Sequence, residues 1–198
     1  MNKRKTVAAG KLAGMLATVV LIVFTAVFFA GRSMFRALYP MEYSETVSTY
    51  AAQYDVPPAL LYAVIHTESG FRADAASEVG ALGLTQITPE TFHWLQTKTG
   101  ETLPDTALYE PETAIRYGAL FYSLLLSEFG NDWQTAAAAY HAGRGQVNAW
   151  LANPEYSADG KTLTTTPSKA TNHYVSKVLR AVNIYYHLYE KELSDNVQ

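Results

Sequence analysis

The chain has no cysteine, which excludes disulfides and thiolate metal sites. The compartment stays open, because a cysteine-free chain can live in any redox environment. Acidic residues are missing before Glu42, whereas Lys3, Arg4, Lys5, Lys11, Arg32 and Arg36 all precede it. The remainder carries the other nine of the 15 basic residues and all 18 acidic ones. An acidic region without a basic stripe is a poor partner for nucleic acid, whose binding depends on neutralising phosphates. Convincing period-two alternation is also missing, with only Thr162 to Thr166 able to form a brief extended piece, so the expected class is all-α. There is no internal repeat and no sign of a second soluble domain. The five histidines include no H-E-x-x-H spacing. His66 and Glu68 are two apart and do not share a helical face, so neither metal nor cofactor is expected.

What is present begins with Leu12 to Gly31, LAGMLATVVLIVFTAVFFAG, twenty residues without a charge and long enough to cross a bilayer as a helix. A signal peptide has a shorter apolar region of about 7 to 15 residues and an A-x-A-like end. Phe28-Phe29-Ala30-Gly31 lacks that pattern, so an uncleaved anchor is expected. The chain then divides into a cytoplasmic basic tail at 1–11, a transmembrane anchor at 12–31, a stalk at 32–42 and a catalytic domain at 43–198. The positive-inside tendency makes this a single-pass protein of the cell membrane with the domain extracytoplasmic, although Arg32 and Arg36 weaken the asymmetry.

Within the domain, Ser44 is placed to cap a helix carrying Val47, Tyr50, Ala51 and Tyr54. Pro57-Pro58 suits the start of a second helix, because proline has no amide hydrogen to leave unpaired there. Thr88 caps a helix through Phe92 and Leu95 to Gly100, and residues 101–109 read as a loop. Pro111 starts a long helix whose inward stripe is Ile115, Ala119, Tyr122, Leu126 and Phe129, ended by Gly130. Asp132 caps a helix containing four alanines, Ala136 to Ala139. A short helix over Gln146 to Leu151 precedes a polar, threonine-rich loop at 153–168, long enough to act as a lid or mobile insertion. The last helix is expected from about Thr171 to Lys191, with Val175, Val178, Leu179, Val182, Tyr186 and Tyr189 on one broad face.

The chemistry centres on Glu68. Leu61, Val64, Ile65 and Glu68 fall at i, i+3, i+4 and i+7, which puts a carboxylate on an aliphatic face. Gly70 stops the helix, so Glu68 sits in its last turn, where the dipole disfavours negative charge. Desolvation and the helix end both raise its proton affinity, the condition a general acid requires. The plain alternative is a side chain that snorkels to water and does nothing. Residues Arg72 to Ala81 are rich in small and polar types, and Gly80-Ala81-Leu82-Gly83-Leu84 brings two glycines around an apolar pair, which lets backbone approach a ligand. Gln86 adds an amide with donor and acceptor. Together they make a plausible sugar site.

Glu68-Ser69-Gly70-Phe71, then Ser77 with Gly80-Ala81-Leu82-Gly83-Leu84-Thr85-Gln86, resembles the E-S-x-F … S-x-x-G-A-x-G-L-M-Q core of the soluble lytic transglycosylases, relatives of goose-type lysozyme. Ala139-Tyr140-His141-Ala142-Gly143 resembles their A-Y-N-A-G, and Thr171-Asn172-His173-Tyr174-Val175 the end of their E-T-x-x-Y-V. The resemblance spans roughly Tyr43 to Tyr189. It implies a lysozyme-like helical domain and cleavage of the peptidoglycan glycan strand between N-acetylmuramic acid and N-acetylglucosamine, with Glu68 catalytic. It also implies that Ser77, Gln86, Tyr140 and Tyr174 position the sugar, with His141 beside them. Ser69 is expected to stabilise the helix end. The product implied is a 1,6-anhydromuramic acid end, formed with help from the substrate's N-acetyl group. Three positions depart from the pattern: Thr85 stands for Met, His141 for Asn, and Ala170 for Glu.

Two alternatives remain at this point. A lysozyme-type hydrolase of the same fold would use water as nucleophile, usually with a second carboxylate. Asp74, Glu78 and Glu90 are near in sequence, but their polar contexts predict solvated side chains. A non-catalytic glycan-binding module of an envelope complex is the other. Protein partners are not legible.

Overall fold

The structure, a computed structural model, describes residues 3–195. It falls into two compact units, residues 1–40 and 41–198, each considered by itself. The first is helix α1, Lys3–Leu38. Residues Gly14–Leu38 are long and apolar enough to cross a membrane. Apolar side chains from Met15 to Leu38 stand exposed along this helix. The hydroxyls of Thr18 and Thr25 bond back to carbonyls of the preceding turn, so these polar groups are satisfied within the helix. The helix runs on through Arg32 and Arg36, so the expected stalk is helical as far as Leu38. Pro40 lies beyond its end.

The second unit is all-α, and no strand occurs among the described residues. Its helices are α2 (Ser44–Gln53), α3 (Pro58–Glu68), α4 (Pro89–Thr99), α5 (Pro111–Glu128), α6 (Trp133–Ala142), α7 (Arg144–Leu151), α8 (Lys169–Leu188) and α9 (Glu190–Asp195). Local chemistry sets most of these boundaries. Pro58 and Pro111 stand at helix starts. Thr88 and Asp132 accept hydrogen bonds from Thr91 N and Thr135 N, at 3.3 and 2.7 Å. Gly100 and Gly130 take positive φ where their helices stop.

Helix α3 is the hub, packed against α8, α2 and α5. All of Ala59 to Ile65 is buried, so this helix is apolar all round rather than on one stripe. Helix α6 lies against α5, α7 and α8. Its alanines, Ala136 to Ala139, are buried and let the neighbouring helices approach closely.

Five expectations change. Ser44 is not a cap: Tyr43 occupies that place in a left-handed conformation without a side-chain cap bond, and Ser44 begins the helix itself. Residues Asp105–Tyr109 form a short 3₁₀ helix inside the expected loop. The last helix stops at Leu188, and Tyr189 separates it from α9. Of the tyrosines near its end, Tyr185 and Tyr189 are buried, whereas Tyr186 is 41% exposed. From Val178, the i+7 position falls at Tyr185, leaving Tyr186 on the edge of the face. The 153–168 loop is stitched rather than loose at its far side: Gln134 Nε2 donates to Leu163 O at 2.7 Å, and Leu163 N donates to Thr135 Oγ1 at 2.9 Å.

Candidate functional site

Glu68 is the last residue of α3, and Ser69 behind it is buried. The Ser69 hydroxyl reaches Ile65 O at 3.2 Å and Leu84 O at 2.9 Å, tying the helix end to the following loop. Gly70 and Phe71 both take positive φ, which turns the chain sharply away from the helix. The carboxyl group is therefore held where α3 stops, half-buried among α5, α6 and α8.

Burial pushes the Glu68 carboxyl up to about 7. A hydrogen bond from Tyr174 and the positive charge of Lys177 act in the opposite sense, and desolvation wins. Tyr174 Oη donates to Glu68 Oε1 at 2.6 Å. No second carboxylate is among the groups that shift Glu68. A carboxyl group so placed can hold a proton near neutrality and release it in a directed setting.

The other sequence-marked residues lie on the loop that Ser69 ties to the end of α3 and on helices α6 and α8. Residues 75–87 form a compact loop with isolated bridges pairing Ala76 with Leu82 and Leu82 with Ile87. Ser77 is exposed on it, and its hydroxyl accepts from Ala81 N at 3.0 Å. Gln86 takes a positive φ of 49°, and its side-chain nitrogen donates to Ala75 O and Gly83 O at 3.1 and 2.9 Å. Both amide protons are thus committed to the loop, leaving the side-chain oxygen as its outward function. Gly83 is required sterically as well as conformationally: a Cβ there would lie 1.8 Å from the carbonyl oxygen of Leu108.

The helices contribute a cluster of tyrosines. Tyr140, near the end of α6, donates to Thr85 O at 2.7 Å, pinning the loop to the helix. Its ring stacks on Tyr122 with centroids 4.8 Å apart and lies 4.9 Å from Phe121. His141 is exposed, 4.7 Å from the Tyr174 ring, with Nδ1 3.2 Å from Thr171 Oγ1. Partial desolvation lowers its proton affinity. Burial raises the phenols of Tyr140, Tyr174 and Tyr122, so all three stay protonated near neutrality.

Thr85 is fully buried, its hydroxyl donating to Ala114 O at 2.9 Å and its methyl lying against Gly118. Ala170 is exposed at the start of α8. Among the described residues, no group of three or more histidine, aspartate or glutamate side chains is placed to hold a metal.

In the sequence Tyr122 is legible only as a core residue, one position of the α5 stripe. It is fully buried, yet its hydroxyl feels the charge of Glu68. A tyrosine rather than a phenylalanine on a fully apolar stripe is the one sequence signal that could have singled it out.

The family model described as "Transglycosylase SLT domain" matches residues 45–163. Over 153 residues the chain is 33% identical to the soluble lytic murein transglycosylase of Salmonella typhimurium, a match covering 75% of this chain and 23% of the relative. It is 30% identical over 169 residues to the membrane-bound lytic murein transglycosylase C of Actinobacillus pleuropneumoniae, covering 74% of this chain and 46% of that one. The fold resembles the 70 kDa soluble lytic transglycosylase of Escherichia coli, with a TM-score of 0.71, 26% identity, and coverage of 81% of this chain and 26% of that one. The chain therefore corresponds to about a quarter of the length of the soluble relatives and just under half of the membrane-bound one.

Proposed function

The chain belongs to the transglycosylase SLT domain family, and on that premise we propose that it cleaves the β-1,4 bond between N-acetylmuramic acid and N-acetylglucosamine in peptidoglycan, leaving a 1,6-anhydromuramic acid end. The observation that carries this reading is Glu68, a carboxyl held at about 7 by burial, bonded to Tyr174 and without a carboxylate neighbour among the groups that shift it.

Such a group does two jobs in turn. With Oε1 accepting from Tyr174, the other carboxyl oxygen delivers the proton to the glycosidic oxygen as the C1–O bond breaks. The substrate's own N-acetyl oxygen stabilises the positive charge developing at C1. Glu68, now a carboxylate steadied by the Tyr174 hydroxyl, takes the proton from the muramic acid C6 hydroxyl. That oxygen closes on C1 to form the anhydro ring. A hydrolase would need a second carboxylate or a held water in this place. The Ser77 hydroxyl, the Gln86 side-chain oxygen, Tyr140, His141 and Tyr174 are the proposed sugar contacts. Tyr140 also holds the 75–87 loop in shape.

Helix α1 supports a single-pass membrane anchor with the basic tail, 1–11, in the cytoplasm and the domain, 43–198, outside. A contiguous apolar surface of this length is untenable in water. Naming one relative as membrane-bound is in keeping with this.

The test is full-length protein in detergent micelles, incubated with purified peptidoglycan, and mass analysis of the released fragments. Anhydro ends, lighter by one water than hydrolysed ends, are expected, and Glu68→Gln should release none. Hydrolysed ends would make it a lysozyme-type hydrolase. Tight sedimentation with peptidoglycan without cleavage would make it a binding module.

A further inference from the structure

Away from Glu68, one indole carries two cations. Trp94 is partly exposed on α4. The guanidinium of Arg144, the first residue of α7, lies over its ring with Cζ 5.0 Å from the centroid. Lys98 Nζ, one turn along α4, is 5.4 Å from the same centroid. Both contacts fall within the range of a cation–π interaction. The indole also begins a row of rings: Trp94 meets Phe121 edge-on at 6.1 Å, and Phe121 lies 4.9 Å from Tyr140, a proposed sugar contact.

The way Arg144 is held leaves its fork open. Its Nε donates to Oε2 of Glu128, at the end of α5, and Asn148 Nδ2 donates to Glu128 Oε1 at 3.3 Å. Both oxygens of Glu128 are therefore engaged. Among the described residues, Arg144 Nη1 and Nη2 donate to no protein acceptor, and the side chain is 42% exposed. A guanidinium steadied on one face by an indole and on one edge by a carboxylate keeps two parallel donors, the geometry that grips a planar carboxylate. Lys98 makes no ion pair among the described residues. Two cations on one ring repel each other, and an anion between them relieves that repulsion. A tie made for packing alone needs neither the second cation nor the open fork.

The proposed substrate supplies such an anion. Each N-acetylmuramic acid carries a lactyl group whose carboxyl is either free or joined to a stem peptide, and the peptide has carboxylates of its own. N-acetylglucosamine has none. Resting on the reading of the site given above, we propose that Trp94, Arg144 and Lys98 form a subsite for a substrate carboxylate, gripped by the Arg144 fork. The subsite sets strands containing muramic acid apart from an uncharged polymer of N-acetylglucosamine. Because acidic residues outnumber basic ones in the rest of the domain, the pair of cations is a local exception in a field that repels anions.

The experiment measures binding rather than turnover. Full-length Glu68→Gln protein in micelles is titrated calorimetrically with three glycans of similar length: strands with stem peptides, strands freed of peptide by an amidase, and chitin oligosaccharide. Adding Arg144→Gln is expected to weaken at least one muramic acid ligand by about 5- to 20-fold, the worth of hydrogen bonds to a charged group reduced by exposure. Chitin oligosaccharide should change little. Loss on the peptide-free strand identifies the lactyl carboxylate, and loss confined to the peptide-bearing strand identifies the stem peptide. Arg144→Lys keeps the charge without the fork and should retain only part of the affinity. Lys98→Gln should cost about 2- to 5-fold on the same ligand. Should Arg144→Gln lower the thermal midpoint strongly, Arg144→Lys and Lys98→Gln carry the comparison by themselves. Equal weakening of all three ligands, or of none, overturns the subsite, since a residue that only ties α7 to α4 and α5 predicts one or the other. Wild-type protein that binds the strands and leaves them intact would sink the proposed reaction alone. Muramic acid strands that bind no better than chitin oligosaccharide would sink the subsite.

Discussion

The hydroxyl of Tyr174, in the first turns of α8, donates to Oε1 of Glu68, at the end of α3, across 106 residues of sequence and a distance of 2.6 Å. The bond favours the ionised carboxyl, whereas burial favours the protonated one. Burial prevails, and the group is left near 7, where it can give and take a proton in one cycle.

Removing that donor should raise the proton affinity further. In Tyr174→Phe the Glu68 titration is expected to climb by about 1 to 2 units, the worth of a hydrogen bond to a charged group. The basic limb of kcat/KM should move with it while the plateau falls, because the waiting carboxylate loses its support. A pH–rate profile on peptidoglycan measures both. A profile that keeps its basic limb in place would separate the 2.6 Å contact from the chemistry.

The same carboxyl makes stability depend on pH. Its folded value, about 7, lies above the unfolded reference of about 4.3. Between these values the folded chain binds a proton that the unfolded chain does not, so this group's contribution to stability is fully present below about pH 4 and is lost as pH rises toward 7. Glu68→Gln has no such decline. Relative to wild type, the variant should be similar at pH 5 and more stable at pH 8, by up to about 3 kcal/mol. Calorimetric midpoints of both proteins at the two pH values check the sign.

Gly83→Ala should not be tolerated. The new Cβ would meet the Leu108 carbonyl at 1.8 Å, at a φ of +72°, and backbone cannot swing aside as a side chain can. The loop that contains Ser77 and Gln86 must then leave its place, and the expected outcome is loss of cleavage together with a thermal midpoint lowered by several degrees. A variant with wild-type midpoint would contradict the packing of this loop on the 3₁₀ helix.

Gly118 and Thr85 should behave as a coupled pair. A Cβ on Gly118 would lie 2.5 Å from Thr85 Cγ2, so Gly118→Ala is expected to cost about 1 to 3 kcal/mol as an overpacked site. Thr85→Ser removes that methyl and keeps the hydroxyl that bonds Ala114 O. Combined with Gly118→Ala it should recover part of the loss, and a double-mutant cycle from denaturant melts gives the coupling directly. Strict additivity would mean that the two residues do not share space as described.

Much of the helical frame was legible because its signals are local. A proline without an amide hydrogen at Pro58 or Pro111, a hydroxyl or carboxylate one turn before a free N–H at Thr88 or Asp132, and a glycine free to take positive φ at Gly100 each act within a few residues. Where the backbone or the fold takes a course the local signal does not set, the same reasoning fails. Ser44 has the chemistry of a cap, yet Tyr43 holds that position in a left-handed turn. Gln86 reads as an open amide, yet folding turns its nitrogen inward to Ala75 and Gly83.

The order of residues alone determined an all-helical domain behind one long apolar helix, and put an acidic side chain at the end of a buried helix, since these depend on periodicity, chain stiffness and composition. Only the three-dimensional packing decided how strongly that acid holds its proton. Desolvation, the phenol of Tyr174 and the charge of Lys177 reach Glu68 from parts of the chain far from it in sequence, and electrostatic energy depends on distance in space rather than separation in sequence.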